Sequence, residues 1–122
     1  ADKYGMRVLS IRIGNVGLAP IDRRRLSIWL HPEDLAQLCR IGLEHPELHH
    51  AIVYGESLNE RSWWDNRSAY RLGYSPVHRA EDHATEALAA QAKLAADPVG
   101  DMFQGGTFCS MEFTGDLART GS

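Results

Sequence analysis

The sequence has no long apolar run and no surplus of basic residues. No stretch approaches the ~20 consecutive apolar residues that a membrane-spanning helix needs. Lys and Arg number 13 against 16 Asp and Glu, which gives a formal net charge of -3. Nucleic acids and anionic membranes bind concentrated basic surfaces, so this balance argues against both as partners.

Motifs for metals and nucleotides are also missing. Cys39 and Cys109 lie far apart without a C-x-x-C spacing. This pattern carries no zinc or haem signature and favours reduced thiols in a cytoplasmic protein. The His49-His50 pair has no third ligand at metal spacing, so we expect no metal site. The sequence contains neither a G-x-G-x-x-G motif nor a P-loop, so nothing in it would cradle a dinucleotide phosphate.

Apolar periodicity predicts two strands and about three helices. Val8–Ile13 is rich in β-branched residues, and 51–54 is a short apolar run of the kind found in buried parallel strands. Pro32 and the acids after it open a helix, and Cys39 falls on the apolar face of that helix, where we expect it to be buried and inert. Further helices are predicted at 63–72 and 80–96, and 16–30 is expected to be a loop.

This order of elements predicts an α/β fold with its two strands parallel. Two parallel strands alone make a poor sheet, because such strands need cover on both faces and neighbours at their edges. The first residues, Ala1 to Gly5, also resemble the last turn of a helix that closes on a glycine. We therefore expect residues 1–122 to be one segment of a longer protein.

Four segments, in the same order, resemble one protein family. They are "VLSIRIGN" at 8–15, "RRRLSIWLHPEDLAQL" at 23–38, "VYGESLNERSWWDN" at 53–66 and "FQGGTF" at 103–108. Together they are similar to the NAD-dependent epimerase/dehydratase family of extended short-chain dehydrogenases, and within it to the uronate dehydrogenases. The resemblance implies that the chain is the C-terminal part of a Rossmann-type fold.

The resemblance also implies an activity and its cofactor. It implies an NAD-dependent oxidoreductase that converts a hexuronic acid to an aldarolactone by oxidation at C1, with a sugar acid as small-molecule partner and a homo-oligomeric assembly. The catalytic Ser and the Tyr-x-x-x-Lys pair would lie before Ala1, together with most of the NAD site. Lys3 and Tyr4 are not that pair, because their order is reversed.

Arg24 is the first candidate for contact with the substrate. A guanidinium group meets a carboxylate with two parallel hydrogen bonds, and Arg24 falls where the family places the arginine that binds the carboxylate of the sugar acid. Taken from the residues alone, the basic run is better explained as a solvated surface in which Asp22 is a salt-bridge partner. Arg23 and Arg25 are expected to be structural.

Four further residues are implied by the resemblance. Asn15 follows the first strand, where ligands bind in open α/β sheets, although the family usually has serine there; the alternative is a turn residue. Ile13 and Gly14 would line the nicotinamide pocket or simply end the strand. Phe103 would stack on the sugar, or else anchor a C-terminal arm.

Two other functions stay open at this point. One is a nucleotide-sugar epimerase or dehydratase of the same family, which the compact segment before Pro32 disfavours because such enzymes usually spread a larger substrate domain there. The other is a non-catalytic fragment or assembly module, which would neither bind NAD tightly nor turn over.

Overall fold

The computed structural model describes residues 3–102, 104, 106, 109, 111, 114 and 115. The chain divides into two compact units, Ala1–Gln91 and Ala92–Ser122. In the described part of the chain, no helix combines the length and the apolar character that crossing a membrane requires.

The first unit contains two small parallel sheets and four α-helices among the described residues. Its strands are β1 (Val8–Ile13), β2 (Asn15–Val16), β3 (Trp29–Leu30) and β4 (His50–Gly55). Its helices are α1 (Arg25–Ile28), α2 (Pro32–Glu44), α3 (Arg67–Arg71) and α4 (Ala84–Gln91), with a 3-10 turn, Ala80–His83, directly before α4.

The larger sheet pairs β1 with β4 in parallel, as the sequence predicted. The register runs from Val8 opposite His50 to Ile13 opposite Gly55. Gly14 continues the ladder by one step, since its N–H donates to the carbonyl oxygen of Gly55 at 3.1 Å. The carboxyl ends of both strands therefore meet at one edge.

The segment 16–30 is more ordered than the predicted loop. It contains α1, and β3 then pairs in parallel with β2, with Asn15 opposite Trp29. The indole N–H of Trp29 donates to the carbonyl oxygen of Gly17 at 2.8 Å, which ties the two ends of the segment together. Periodicity could not reveal such short elements, because two residues of strand carry no period.

Helix α2 packs on β1 and β4 through Leu38, which joins Val53 in one core cluster. A Cβ at Gly42 would lie 3.2 Å from the side chain of Leu9, so glycine lets the helix approach the sheet closely. The prediction that Cys39 is buried was wrong, and the thiol residue is exposed. The buried face of α2 is centred on Asp34 and Leu38 instead.

A second core surrounds Trp29, which is fully buried. It packs with Leu26 of α1 and with Ala80 and Ala87. The helix predicted at 80–96 is a 3-10 turn followed by α4, which ends at Gln91. Alanines at these positions let both elements lie close to the indole ring.

The helix predicted at 63–72 is shorter than expected. Helix α3 begins at Arg67, and both tryptophans of the segment precede it. The predicted end is correct: Gly73 takes a φ of 93°, a left-handed conformation that glycine adopts without steric cost.

The second unit contains α5 (Pro98–Met102) among its described residues. The carboxylate of Asp97 accepts the backbone N–H of Gly100 at 2.9 Å and so caps the first turn.

Candidate functional site

The carboxyl ends of β1 and β4 lie side by side and carry the candidate site. Ile13 and Gly14 stand at the end of β1, and Glu56 directly follows β4. Ligands of open α/β sheets bind at this edge, because the strand ends leave a crevice that loops can line. Ile13 is 49% exposed there.

Gly14 is required by packing. A Cβ at this position would overlap the backbone carbonyl oxygen of Ile28, so no larger residue fits without a shift of α1. This constraint gives Gly14 a structural role whether or not a nicotinamide ring lies against it.

Asn15 is a strand residue rather than a turn residue. It lies in β2 opposite Trp29 and is half-buried. Within the described residues its side-chain amide makes no hydrogen bond, so both its donor and its acceptor are available to a ligand.

Arg24 directly precedes α1 and is half-buried. The carbon at the centre of its guanidinium group lies 5.9 Å from the centroid of the Trp63 ring, within the range of a cation–π contact. The neighbouring Arg25 pairs with Asp22 at 2.6 Å, as expected of a structural residue. The Trp63 ring therefore lies beside Arg24, the arginine for which the family resemblance implies contact with the carboxylate.

Phe103 lies outside the described residues. Its predicted contact with the sugar stays a prediction.

A cleft opens beside Glu56 at the same edge of the sheet. Its volume is about 320 Å³. Its lining is polar and aromatic except for one aliphatic residue, and consists of Glu56, Ser57, Leu58, Asn59, Glu60, Ser62, Trp64, Asn66, Tyr70 and Arg79. A cleft of this size and mixed lining is within the lower range of small-molecule sites.

Glu56 is a buried carboxyl group in this cleft and is 4% exposed. The hydroxyl of Ser62 donates to one of its oxygens at 2.6 Å. Burial raises the pKa of Glu56 from 4.5 to about 7, since the charged form loses hydration, and the hydrogen bond from Ser62 opposes part of that rise.

The walls of the cleft are held by buried hydrogen bonds. The Asn66 amide accepts from the backbone N–H of Tyr54 at 3.0 Å and donates to its carbonyl oxygen at 2.9 Å. The Tyr74 hydroxyl donates to the carbonyl oxygen of Glu56 at 2.7 Å. The Trp64 ring stacks on the Tyr54 ring, with centroids 4.7 Å apart. The cleft is therefore formed before any ligand arrives.

Asp34 joins helix α2 to the loop after β4. Its buried carboxylate accepts from the Ser57 hydroxyl at 2.6 Å and from the backbone N–H groups of Val77 and His78 at 2.9 and 3.3 Å. Ser57 in turn accepts the N–H of His31 at 2.9 Å. In the sequence, an acid in the first turn of a helix indicates a favourable contact with the helix dipole. Nothing in the sequence shows that Asp34 is buried.

One group of potential metal ligands was also missed. His31, Glu33 and His78 have ligand atoms within 4.8 Å of one another. The two imidazole rings, however, stack 3.5 Å apart and almost parallel, so in this arrangement they cannot both point a lone pair at one ion. His31 caps α2, accepting the N–H of Glu33 at 3.0 Å.

Glu56 could have been found from its position. It comes directly after a predicted buried strand, at the edge where parallel sheets bind ligands. The segment 53–66 was used for its resemblance instead, and Glu56 was passed over.

The chain is similar to several curated uronate dehydrogenases, as its segments predicted. The protein of Pseudomonas putida is 45% identical over 107 residues, which are 88% of this chain and 40% of the relative. The protein of Pseudomonas syringae pv. tomato is 39% identical over 115 residues, 94% of this chain and 42% of the relative. The chain thus spans about two fifths of the length of these relatives. No family model matches it.

Solved structures agree with these relatives. The glucuronic acid dehydrogenase of Chromohalobacter salexigens superposes with a TM-score of 0.81 at 32% identity, covering 89% of this chain and 41% of that one. A mutant uronate dehydrogenase of Agrobacterium tumefaciens, complexed with NAD, superposes with a TM-score of 0.78 over the same shares. These similarities confirm the predicted α/β fold class and the resemblance to uronate dehydrogenases.

Proposed function

We propose that this chain is the substrate side of an NAD-dependent oxidoreductase that oxidises galacturonate or glucuronate at C1 to an aldarolactone. The observation that carries the proposal is the similarity to uronate dehydrogenases over 88% of the chain. Asn15, two positions after the end of β1, and Arg24, beside the Trp63 ring, are the candidate substrate contacts that support it.

Arg24 would bind the carboxylate of the sugar acid. Its planar guanidinium group offers two parallel donors, and the Trp63 ring at 5.9 Å favours one orientation of that group. Asn15 would exchange hydrogen bonds with a sugar hydroxyl, and Phe103 would cover the apolar face of the sugar. Positioning of this kind lowers the activation free energy of the oxidation, because the reacting groups are already held in the required orientation.

Ile13 and Gly14 would face the nicotinamide ring. The exposed apolar side chain of Ile13 would offer such a ring an apolar contact. The cofactor supplies the hydride acceptor. With no glycine-rich loop in this chain, the rest of NAD, the catalytic Ser and the Tyr-x-x-x-Lys pair would belong to a further, N-terminal portion of the protein.

The test is NAD reduction by the intact protein that carries this segment. We expect turnover with galacturonate and glucuronate. Arg24→Gln should lower kcat/KM for the uronate by roughly 10- to 100-fold, since a hydrogen bond to a charged group is worth about 1.5–3 kcal/mol. The KM for NAD should stay unchanged.

Arg23→Gln is the matched control, because Arg23 is the exposed neighbour in the same run and should keep full activity. The proposal fails if neither acid supports NAD reduction while a nucleotide-sugar is converted. The role of Arg24 fails if both arginine variants behave alike.

A further inference from the structure

The cleft beside Glu56 is not used by the proposed oxidation. We propose that it binds a neutral polyhydroxylated small molecule, a free sugar or a similar polyol, whose hydroxyl groups donate to Glu56. This inference does not rest on the proposed function, because it concerns a different group of side chains and needs no turnover.

The first step is the unfilled acceptor capacity of the cleft. One oxygen of Glu56 accepts from Ser62, and in the described part of the chain the other accepts no hydrogen bond. The Oδ1 atom of Asn59 is also buried without a partner among these residues, while its Nδ2 atom donates to the carbonyl oxygen of Trp29 at 2.9 Å. The Asn59 oxygen is covered by protein, so the acceptor open to a ligand is the second oxygen of Glu56, and a ligand hydroxyl would supply its donor.

The second step is the charge of the cleft. Glu56 has no ion-pair partner among the described residues. Arg79, the cation of the lining, is bound to Glu60 at 2.8 Å. An anionic ligand would therefore meet acids, with the nearest cation already engaged.

A cationic ligand fits less well than a neutral one. Because burial raises the pKa of Glu56 to about 7, this carboxyl is neutral in about half of the molecules at neutral pH and is a weak counter-ion. In either protonation state it keeps an oxygen that accepts a hydrogen bond from a ligand hydroxyl.

The third step is shape. The volume of about 320 Å³ suits a single sugar ring better than a nucleotide-sugar. Trp64 and Tyr70 place aromatic surface next to the polar groups, and a sugar ring presents an apolar C–H face beside its hydroxyls. The stacking of Trp64 on Tyr54 fixes that surface before binding.

The test is a calorimetric titration of the intact protein without NAD, using D-galactose and D-glucose as neutral probes. Galacturonate and choline serve as the anionic and cationic probes. We expect saturable, millimolar binding of at least one neutral hexose. Perturbation of the Trp64 indole signal in NMR spectra should accompany it.

Two substitutions of Glu56 keep the proposal falsifiable. Glu56→Ala should weaken hexose binding by about tenfold or more, since the acceptor is lost; the isosteric Glu56→Gln should weaken it less, by about threefold, since Gln keeps an acceptor oxygen and loses only the charge. Glu44→Gln, on the exposed side of α2, should bind like the wild type. Thermal melting checks that each variant is folded.

Arg24→Gln separates this proposal from the proposed function. It should leave hexose binding intact even where it impairs uronate oxidation. The cleft proposal is overturned if no neutral hexose binds, if choline binds and the hexoses do not, if Glu56→Ala has no effect, or if Arg24→Gln abolishes hexose binding.

Discussion

Replacing Asp34 by alanine should destabilise the fold far more than replacing an exposed acid. The Asp34 side chain is 1% exposed, and its carboxylate is the shared acceptor for three donors from two separate segments. Alanine removes the acceptor and leaves the hydroxyl of Ser57 and the N–H groups of Val77 and His78 without it.

The size of the effect follows from these three contacts. A hydrogen bond to a charged group contributes about 1.5–3 kcal/mol, but the 3.3 Å contact with His78 is long and the three terms are not additive. Removing one partner of a buried charged network costs about 3–5 kcal/mol. For the 122 residues of this chain by themselves, that corresponds to a fall in Tm of roughly 10–20 °C.

The assay is urea denaturation of the protein followed by far-ultraviolet circular dichroism, with the slope of the transition checked for change. Asp34→Asn keeps one acceptor oxygen and should lie between alanine and the wild type. Asp82→Ala is the control, since that side chain is 64% exposed and sits 4.0 Å from Arg79. Equal midpoints for Asp34→Ala and Asp82→Ala would refute the reasoning.

Three further predictions use other features of the same unit. Gly14→Ala should lower the free energy of unfolding by about 1–3 kcal/mol or more, because its Cβ overlaps a backbone carbonyl. The control is Gly17→Ala, whose Cβ has its nearest contact at 3.6 Å and which should change the free energy of unfolding little. Equal losses in the two variants would contradict this prediction. Asn66→Ala should cost about 1–3 kcal/mol in the same assay by removing both hydrogen bonds to β4; an unchanged midpoint would show that water replaces them. The folded-state pKa of Glu56, about 7, lies above the unfolded value, so its contribution to stability is full below pH ~4.5 and is lost as the pH rises through 7. The stability of Glu56→Gln relative to the wild type should therefore rise between pH 5 and 8, and a constant difference would contradict the raised pKa.

Long elements with a clear period were predictable from the sequence. β1 and α2 were found because each repeats its apolar residues over six or more positions, and β4 because 51–54 is a continuous apolar run. The parallel pairing followed from the helix between the strands, since that connection joins parallel neighbours. The exposure of Cys39 was missed because the buried face of α2 was predicted from apolar residues alone. In the structure the buried residues of α2 are Asp34 and Leu38, and Cys39 lies outside that face.

Residues of the candidate site could be predicted from the sequence only where their position after a strand, or the family resemblance, pointed to them. Asn15 and Gly14 became candidates through the family resemblance and their place after a strand, and Arg24 through the resemblance; their roles stay predictions. The cleft beside Glu56 depends on contacts between residues far apart in the chain, such as Tyr74 with Glu56 at a separation of 18 positions. No local pattern encodes such contacts.

Helix α3 begins later than predicted because the side chains of the residues before it form contacts around the cleft. The segment 62–66 has the tryptophans of a helix face, yet its polar side chains are engaged elsewhere: Ser62 bonds Glu56 and the N–H of Trp64, and Asn66 bonds both backbone groups of Tyr54. Side chains that bond the backbone locally compete with helix formation. The same five residues place Trp63 beside Arg24 and Ser62 on Glu56, so one non-helical turn supports both proposed binding groups. Departure from local propensity is expected where a segment serves a binding site, and here the contacts that prevent the helix are the ones that build the cleft.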